Sequence, residues 1–514
     1  MQHVPIIVGV GDVRNKSFEP EDAIEPSKLM IQAIRRAAAD TGIAESAQKQ
    51  LLSAADALRV VPTWTWPYSD LPGSIANGLG INPAYREMPG HGGNQPALQC
   101  DEAARKIARG ESKVAILTGG EALASLGACQ KAGLSPPPGW EESDPDGSSL
   151  SMDLSILKEN SGSLHSMGLP IHVYPMYENA RRALKKQTAR QNTEESAIMY
   201  SKFDAISSKN EYSWNFGETV KSPEQIGTVS KRNRIICDPY PLVMNAFNTV
   251  NLSAAVIVTS TDFATQIGIP KDKWVYVLGG AGTHEKENFW ERPHFHDSPA
   301  IGKSIDSALD VSGLTKNQVD IFDFYSCFPI VPKLACDHLG LSTTNWDKPI
   351  SFLGGLTSFG GAGNNYSMHA ISAMTRQLRQ HTYQTGLILA NGGMLTHQYV
   401  ICLSGSPRKD GKPYPKANPL PEHYAHPEPS FTEKATGSAV IETYTIEYDR
   451  SGSPALALIV GKLQNGTRFL ANHGDDATLS QLASSAAEHV GQQGSVRNDE
   501  DGKNLFYFDV KTKL

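Results

Sequence analysis

Short apolar runs ended by glycine or aspartate alternate along this chain with stretches of helical spacing. The opening PIIVGVGD reads as a strand, and Pro26 to Gly42 then carries Leu29, Ile31, Ile34 and Ala38 at helical intervals. A second apolar strand is predicted over Ala57 to Val61. A helix from about Ala97 to Gly110 then leads into a strand over Val114 to Gly120. Strands and helices in such alternation build layered α/β sheets.

The order recurs beyond Lys271. SIDSALDVSGL (Ser304 to Leu314) echoes AIRRAAADTGI (Ala33 to Ile43), and LILANGGM (Leu387 to Met394) echoes AILTGGEA (Ala115 to Ala122). The offset is about 270 residues, which predicts a duplicated core. The halves are expected over 1–265 and 266–404. Within the first half a long excursion, about 127–234, carries amphipathic stretches such as YENARRALKKQ and reads as an inserted loop domain, a lid suited to gripping the non-reacting part of a ligand.

A proline-rich stretch over 405–430 forbids interior helix or strand and predicts a stiff connection. Beyond it, 431–514 alternates apolar and polar residues between turns. Asn465-Gly466 suits a tight hairpin there, so a small β-barrel is expected.

The length of 514 residues calls for several cores, and 20% charged residues is an ordinary globular balance. A net charge of −7 gives no broad field for phosphates, so nucleic acid is not an expected partner. Six cysteines, Cys100, Cys129, Cys237, Cys327, Cys336 and Cys402, lie without Cys-x-x-Cys spacing, which argues against a disulfide framework or a zinc knuckle. With no apolar run of about 18 residues and no secretion-signal layout at the start, a cytoplasmic protein without a membrane span is expected. Thr512, Lys513 and Leu514 miss only the first position of the peroxisomal Ser-Lys-Leu address, which matters if the source is eukaryotic.

Three stretches carry a family resemblance. HGGNQPALQCDEAARKIARGESKVAILTGGEALAS looks like the thiolase active-site loop, helix and following strand; YSCF (Tyr325 to Phe328) occupies the Asn-Glu-Ala-Phe site; GGLTSFGGAGNNYSMH (Gly354 to His369) resembles the Gly-His-Pro segment. The chain resembles the thiolase superfamily, and within it the thiolase-like proteins of type 1, which share these loops and an appended C-terminal β domain. The resemblance implies two βαβαβαββ halves layered α-β-α-β-α, with an OB-like barrel appended. It also implies coenzyme A or an acyl-coenzyme A as ligand, and a homodimer, although the extra domain makes a monomer equally acceptable.

Aligned on those motifs, the catalytic residues of a thiolase are missing. Gly93 stands where the nucleophilic cysteine belongs, Gly361 where its activating histidine belongs, and Ala390 and Asn391 where the second cysteine belongs. Cys100 falls inside the predicted helix, away from the end that stabilises a thiolate. Tyr325 takes a catalytic position and is the leading candidate, able to donate or accept a hydrogen bond. Tyr366 and His369, three apart on a helix, and His397 complete the catalytic candidates. Ligand contacts are expected from His91, Gly92, Asn94, Asn364, Asn365, Gly392 and Gly393, and the phosphates of coenzyme A from Lys231, Arg232 and Arg234. No metal is expected; RPHFHD, with His294, His296 and Asp297, reads as a surface loop. These residues leave two functions open: an acyl-coenzyme A lyase or acyltransferase working without a cysteine nucleophile, and a non-catalytic acyl-coenzyme A binder.

Overall fold

A computed structural model of the chain describes residues 3–144 and 160–508. The Thr512–Leu514 tail lies outside the described residues, as does part of the excursion. In chain order the strands are β1 (Pro5–Arg14), β2 (Ala57–Val60), β3 (Tyr85–Glu87), β4 (Val114–Ala122), β5 (Ile235–Cys237), β6 (Tyr240–Pro241), β7 (Asn251–Ser260) and β8 (Val275–His284). They continue with β9 (Ile321–Phe324), β10 (Thr385–Gly392), β11 (His397–Ser404), β12 (Gly437–Tyr448), β13 (Pro454–Leu463), β14 (Arg468–His473), β15 (Gln493–Asn498) and β16 (Asn504–Tyr507).

One sheet has the order β3-β2-β4-β7-β1-β8-β11-β10-β9. Its two parts repeat each other: β1, β2, β4 and β7 correspond to β8, β9, β10 and β11, and they meet only where Ile6 and Ile7 pair with Tyr276 and Val275. The predicted duplication is therefore the architecture. β1, β4 and β7 are buried along almost their whole length, because layers cover both faces.

Two helices, Gln95–Ala108 and Tyr366–Arg379, lie between the two parts of the sheet and touch strands of both. Helices Pro26–Asp40 and Pro299–Ser312 cover the outer faces, presenting Leu29, Ala33 and Ile34 in one case and Ile301, Ile305 and Ala308 in the other. This is the α-β-α-β-α layering of a thiolase fold.

The excursion is more than a peripheral lid. Helix Pro170–Leu184 is buried through His172 to Arg182 and joins one apolar core with strands of the C-terminal half and of the barrel. Charges taken into that joint are paired: Lys333 Nζ lies 2.6 Å from Glu178, and Arg182 reaches Glu488 and the Tyr444 hydroxyl. The segment just after the excursion supplies β5 and β6, which attach to β12 through the pair Cys237 and Glu447.

β12 to β16 close into a five-stranded barrel in the order β12-β13-β14-β16-β15, with β15 returning to β12. Gly466 takes a φ of +84° in the hairpin between β13 and β14, as the Asn-Gly pair predicts. The proline-rich stretch is packed along the core rather than free. Asn418 exchanges two hydrogen bonds with the backbone of Gly282, the Thr283 hydroxyl donates to Pro421 O, and His284 N donates to Glu422 O at 2.8 Å. This run covers the edge of β8 that β1 leaves unpaired, which satisfies backbone groups that would otherwise be stranded.

Candidate active site

The Gln95–Ala108 helix begins beneath the Gly92-Gly93 turn, with Pro96 in its first turn and no side chain capping it. Its first N–H groups and its dipole make this end a favourable place for a developing negative charge. Gly93 is buried there. A Cβ on it would overlap the carbonyl oxygen of Asn391 and come within 2.7 Å of the Tyr325 hydroxyl. A phenol therefore stands where a side chain at 93 would project, and no thiol fits beside it. Gly361 is crowded in a similar way, since a Cβ there would overlap the carboxamide oxygen of Asn248.

Tyr325 leaves the end of β9, its N–H held by Leu389 O, and its ring packs edge-on against Tyr366 at 5.5 Å. Burial pushes its ionisation well above the usual phenol range, and the nearby Cys327 adds to this, so the group is a neutral phenol at physiological pH. Cys327 is the one thiol near this end of the helix: Tyr174 and Asn391 contact its sulfur, and burial drives its pKa up to about 12. It is therefore a thiol and not a thiolate. Cys100 is fully buried two turns into the helix and shifted upward by burial as well, which fits a packing residue.

Asn391 donates to the Tyr174 hydroxyl at 2.8 Å and accepts from Gln398 at 2.7 Å. The Tyr174 hydroxyl in turn donates to Gly393 O and accepts from Leu395 N, so a residue of the excursion fixes the Gly392-Gly393 loop. On the opposite wall, Asn364 accepts from Gly92 N at 3.1 Å, contacts His91 at 2.9 Å and donates to Pro62 O; Asn365 donates to Gly119 O. The buried Asn94 Oδ1 has no partner and lies in the space a Cβ on Gly392 would take.

The fold is shared with known proteins. A family model, thiolase-like protein type 1 additional C-terminal domain, matches residues 419–501. A crystal structure of a monomeric SCP2-thiolase-like protein type 1 from Mycobacterium smegmatis is 30% identical, covers 98% of this chain and 99% of its own, and superposes with a TM-score of 0.81. The chain belongs to this type 1 thiolase-like family. More distant folds include the Ltp2-ChsH2(DUF35) aldolase, 16% identical over 77% of this chain and 97% of that one, with a TM-score of 0.55. Human mitochondrial 3-ketoacyl-CoA thiolase in complex with CoA is 13% identical over 79% and 98%, also at 0.55. No curated protein sequence matches the chain. No helix among the described residues is long and apolar enough to cross a membrane.

In this type 1 thiolase-like chain the remaining candidates scatter. The Tyr366 hydroxyl turns to Gly355 N and the buried Asp323, and serves the packing of the glycine segment. His369 packs with Tyr366 against Phe359 and is held by Asp12 of β1, whose carboxylate lies 2.6 Å from Nδ1. Burial alone would raise Asp12, but the His369 hydrogen bond and the Arg376 charge outweigh it and hold the carboxyl below its usual range. His397 packs against His284, with its Nε2 3.5 Å from Glu287. Lys231 and Arg232 are exposed on the loop before β5, while Arg234 turns back on Ile235 O. Sequence reading missed Asn248, Tyr174 and Cys327 as members of the site. For Tyr174 no motif signal existed; for Cys327 the signal was its place two residues after Tyr325 in YSCF.

Proposed function

We propose that this protein binds an acyl-coenzyme A thioester and cleaves a carbon–carbon bond beside its carbonyl by a retro-aldol reaction, with no covalent acyl-enzyme. The observation that carries this reading is the Tyr325 hydroxyl at the place of a nucleophile, next to an uncapped helix N-terminus. The likeness to a protein described as an aldolase supports lyase chemistry over acyl transfer, and a related fold in complex with CoA supports the ligand class.

In a β-hydroxyacyl thioester held there, the thioester oxygen meets the helix end and the phenol. Tyr325 accepts the β-hydroxyl proton as it passes its own to that oxygen, so it stays neutral, as its burial demands. The Cα–Cβ electrons move into the thioester, releasing an aldehyde or ketone and the enol of a shortened thioester, which then tautomerises. Asn391 and the Gly392-Gly393 loop position the acyl group. Incubation of the full chain with a panel of β-hydroxyacyl thioesters is expected to give carbonyl product and shortened thioester by mass spectrometry. Tyr325→Phe is expected to lower kcat by about 10²–10⁴-fold with ligand affinity retained. Full turnover by that variant would remove Tyr325 from the reaction.

A second reading, non-catalytic acyl-coenzyme A binding, is supported by the engagement of the site's imidazoles elsewhere, His369 by Asp12 and His91 by Asn364. Tight binding across the panel without conversion would favour it.

A further inference from the structure

The two turns of backbone that fasten the proline-rich run to β8 also bring together side chains of one chemical kind. His284, at the end of β8, is the lateral neighbour of His423 in a parallel bridge, with Tyr424 N donating to His284 O and His284 N donating to Glu422 O. Nitrogen atoms of both imidazoles and a carboxylate oxygen of Glu422 lie within 4.8 Å of one another. The backbone ladder fixes their spacing, so the three donors converge without folding any further segment. His397 packs edge-on against His284 at 4.3 Å, and its Nε2 lies 3.5 Å from Glu287.

We propose that His284, His423 and Glu422 form a binding site for a divalent transition metal, of the zinc class, that locks the proline-rich run onto the core. Two imidazoles and a carboxylate, with water in the fourth position, suit zinc or cobalt and not calcium or magnesium, which take oxygen ligands. The three donors stand on β8 and the proline-rich run, whereas Tyr325 follows β9.

A second histidine group supplies the internal control. His294, His296 and Asp297 also come within 4.8 Å of one another, but they sit on one short loop, with stacked rings and His294 already paired to Asp297. The full chain, stripped with chelator, is titrated with Co2+ and Zn2+. The expected result is one equivalent of Co2+ with the visible bands of a four- or five-coordinate nitrogen–oxygen site, displaced by Zn2+. His284→Gln and His423→Gln are each expected to weaken binding by more than about 100-fold, beyond the ~10–100-fold loss that follows removal of a supporting contact. His397→Gln is expected to fall within that lower range, and His296→Gln to change nothing. Circular dichroism of each metal-free variant verifies folding. Absence of stoichiometric uptake, or uptake lost in His296→Gln and kept in a folded His284→Gln, overturns the proposal.

Discussion

The two central helices are counterparts in the duplication, yet they are held differently. Gln95–Ala108 is anchored at Asp101, whose carboxylate takes Arg105 Nη2 at 2.6 Å and the hydroxyls of Tyr399 and Tyr414 at 2.5 Å. Arg105 also reaches Gly280 O, and Arg109 reaches Lys416 O. Its holders are thus β8 and β11 of the other half, together with the proline-rich run. Tyr366–Arg379 is anchored by Asp12 of β1, which takes His369, Ser372 and Arg376. Each half supplies the clamp for the other's central helix. The first helix alone depends on the C-terminal extension as well, and it is the one whose N-terminus faces Tyr325. The extension is therefore part of what positions the site.

The severest challenge to this symmetry is removal of either carboxylate. Asp101→Ala strands the buried Arg105, and Asp12→Ala strands the half-buried Arg376 and the buried His369; each is expected to cost about 3–5 kcal/mol in urea unfolding. If one is nearly neutral, the two clamps are not equivalent. Asp12 adds a pH signature. Its folded pKa lies below its unfolded value, so its contribution is complete above about pH 4 and is lost as pH falls through the lower folded value. Asp12→Ala should therefore shrink the acid-side loss of stability in a pH series of melts.

Tyr414→Phe tests the asymmetry. Loss of one hydrogen bond to a charged group is expected to cost about 1.5–3 kcal/mol. It should also raise hydrogen exchange in the Gln95–Ala108 helix while leaving Tyr366–Arg379 unchanged. Equal loosening of both helices would deny the extension a specific role.

The smallest contrast is between the two glycines. Gly93→Ala forces a methyl against Asn391 backbone and the Tyr325 ring, costing about 1–3 kcal/mol. Gly361→Ala overlaps the end of the Asn248 side chain, which can turn away, and meets Phe247 O at 3.3 Å, so it is expected to cost about 1 kcal/mol. Thermal melts of the pair rank them.

Much of the layered core was legible because it rests on local pattern: apolar runs, helical spacing and the repeat of AILTGG as LILANGG. Motif position singles out Gly93 and Gly361, where the resemblance leads one to expect a cysteine and a histidine. What crowds those two glycines was not legible. Asn248 and Gly361 are distant in sequence, as are Tyr174 and Gly393, and no periodicity encodes such a meeting. His369 was placed on the correct helix, but its direction was set by Asp12, more than 350 residues earlier. The prolines predicted a stiff connection correctly excluded from helix, and gave no sign that it would complete the edge of β8, because edge coverage depends on the sheet already being assembled.

The phenol lodged against Gly93 has a consequence for the history open to this lineage. A thiol cannot be placed at position 93 by one substitution, since the space it needs is filled by an aromatic ring and a main-chain oxygen. Tyr325 must shrink first, which gives up the phenol before a sulfur can be accommodated. The overlap works as a ratchet.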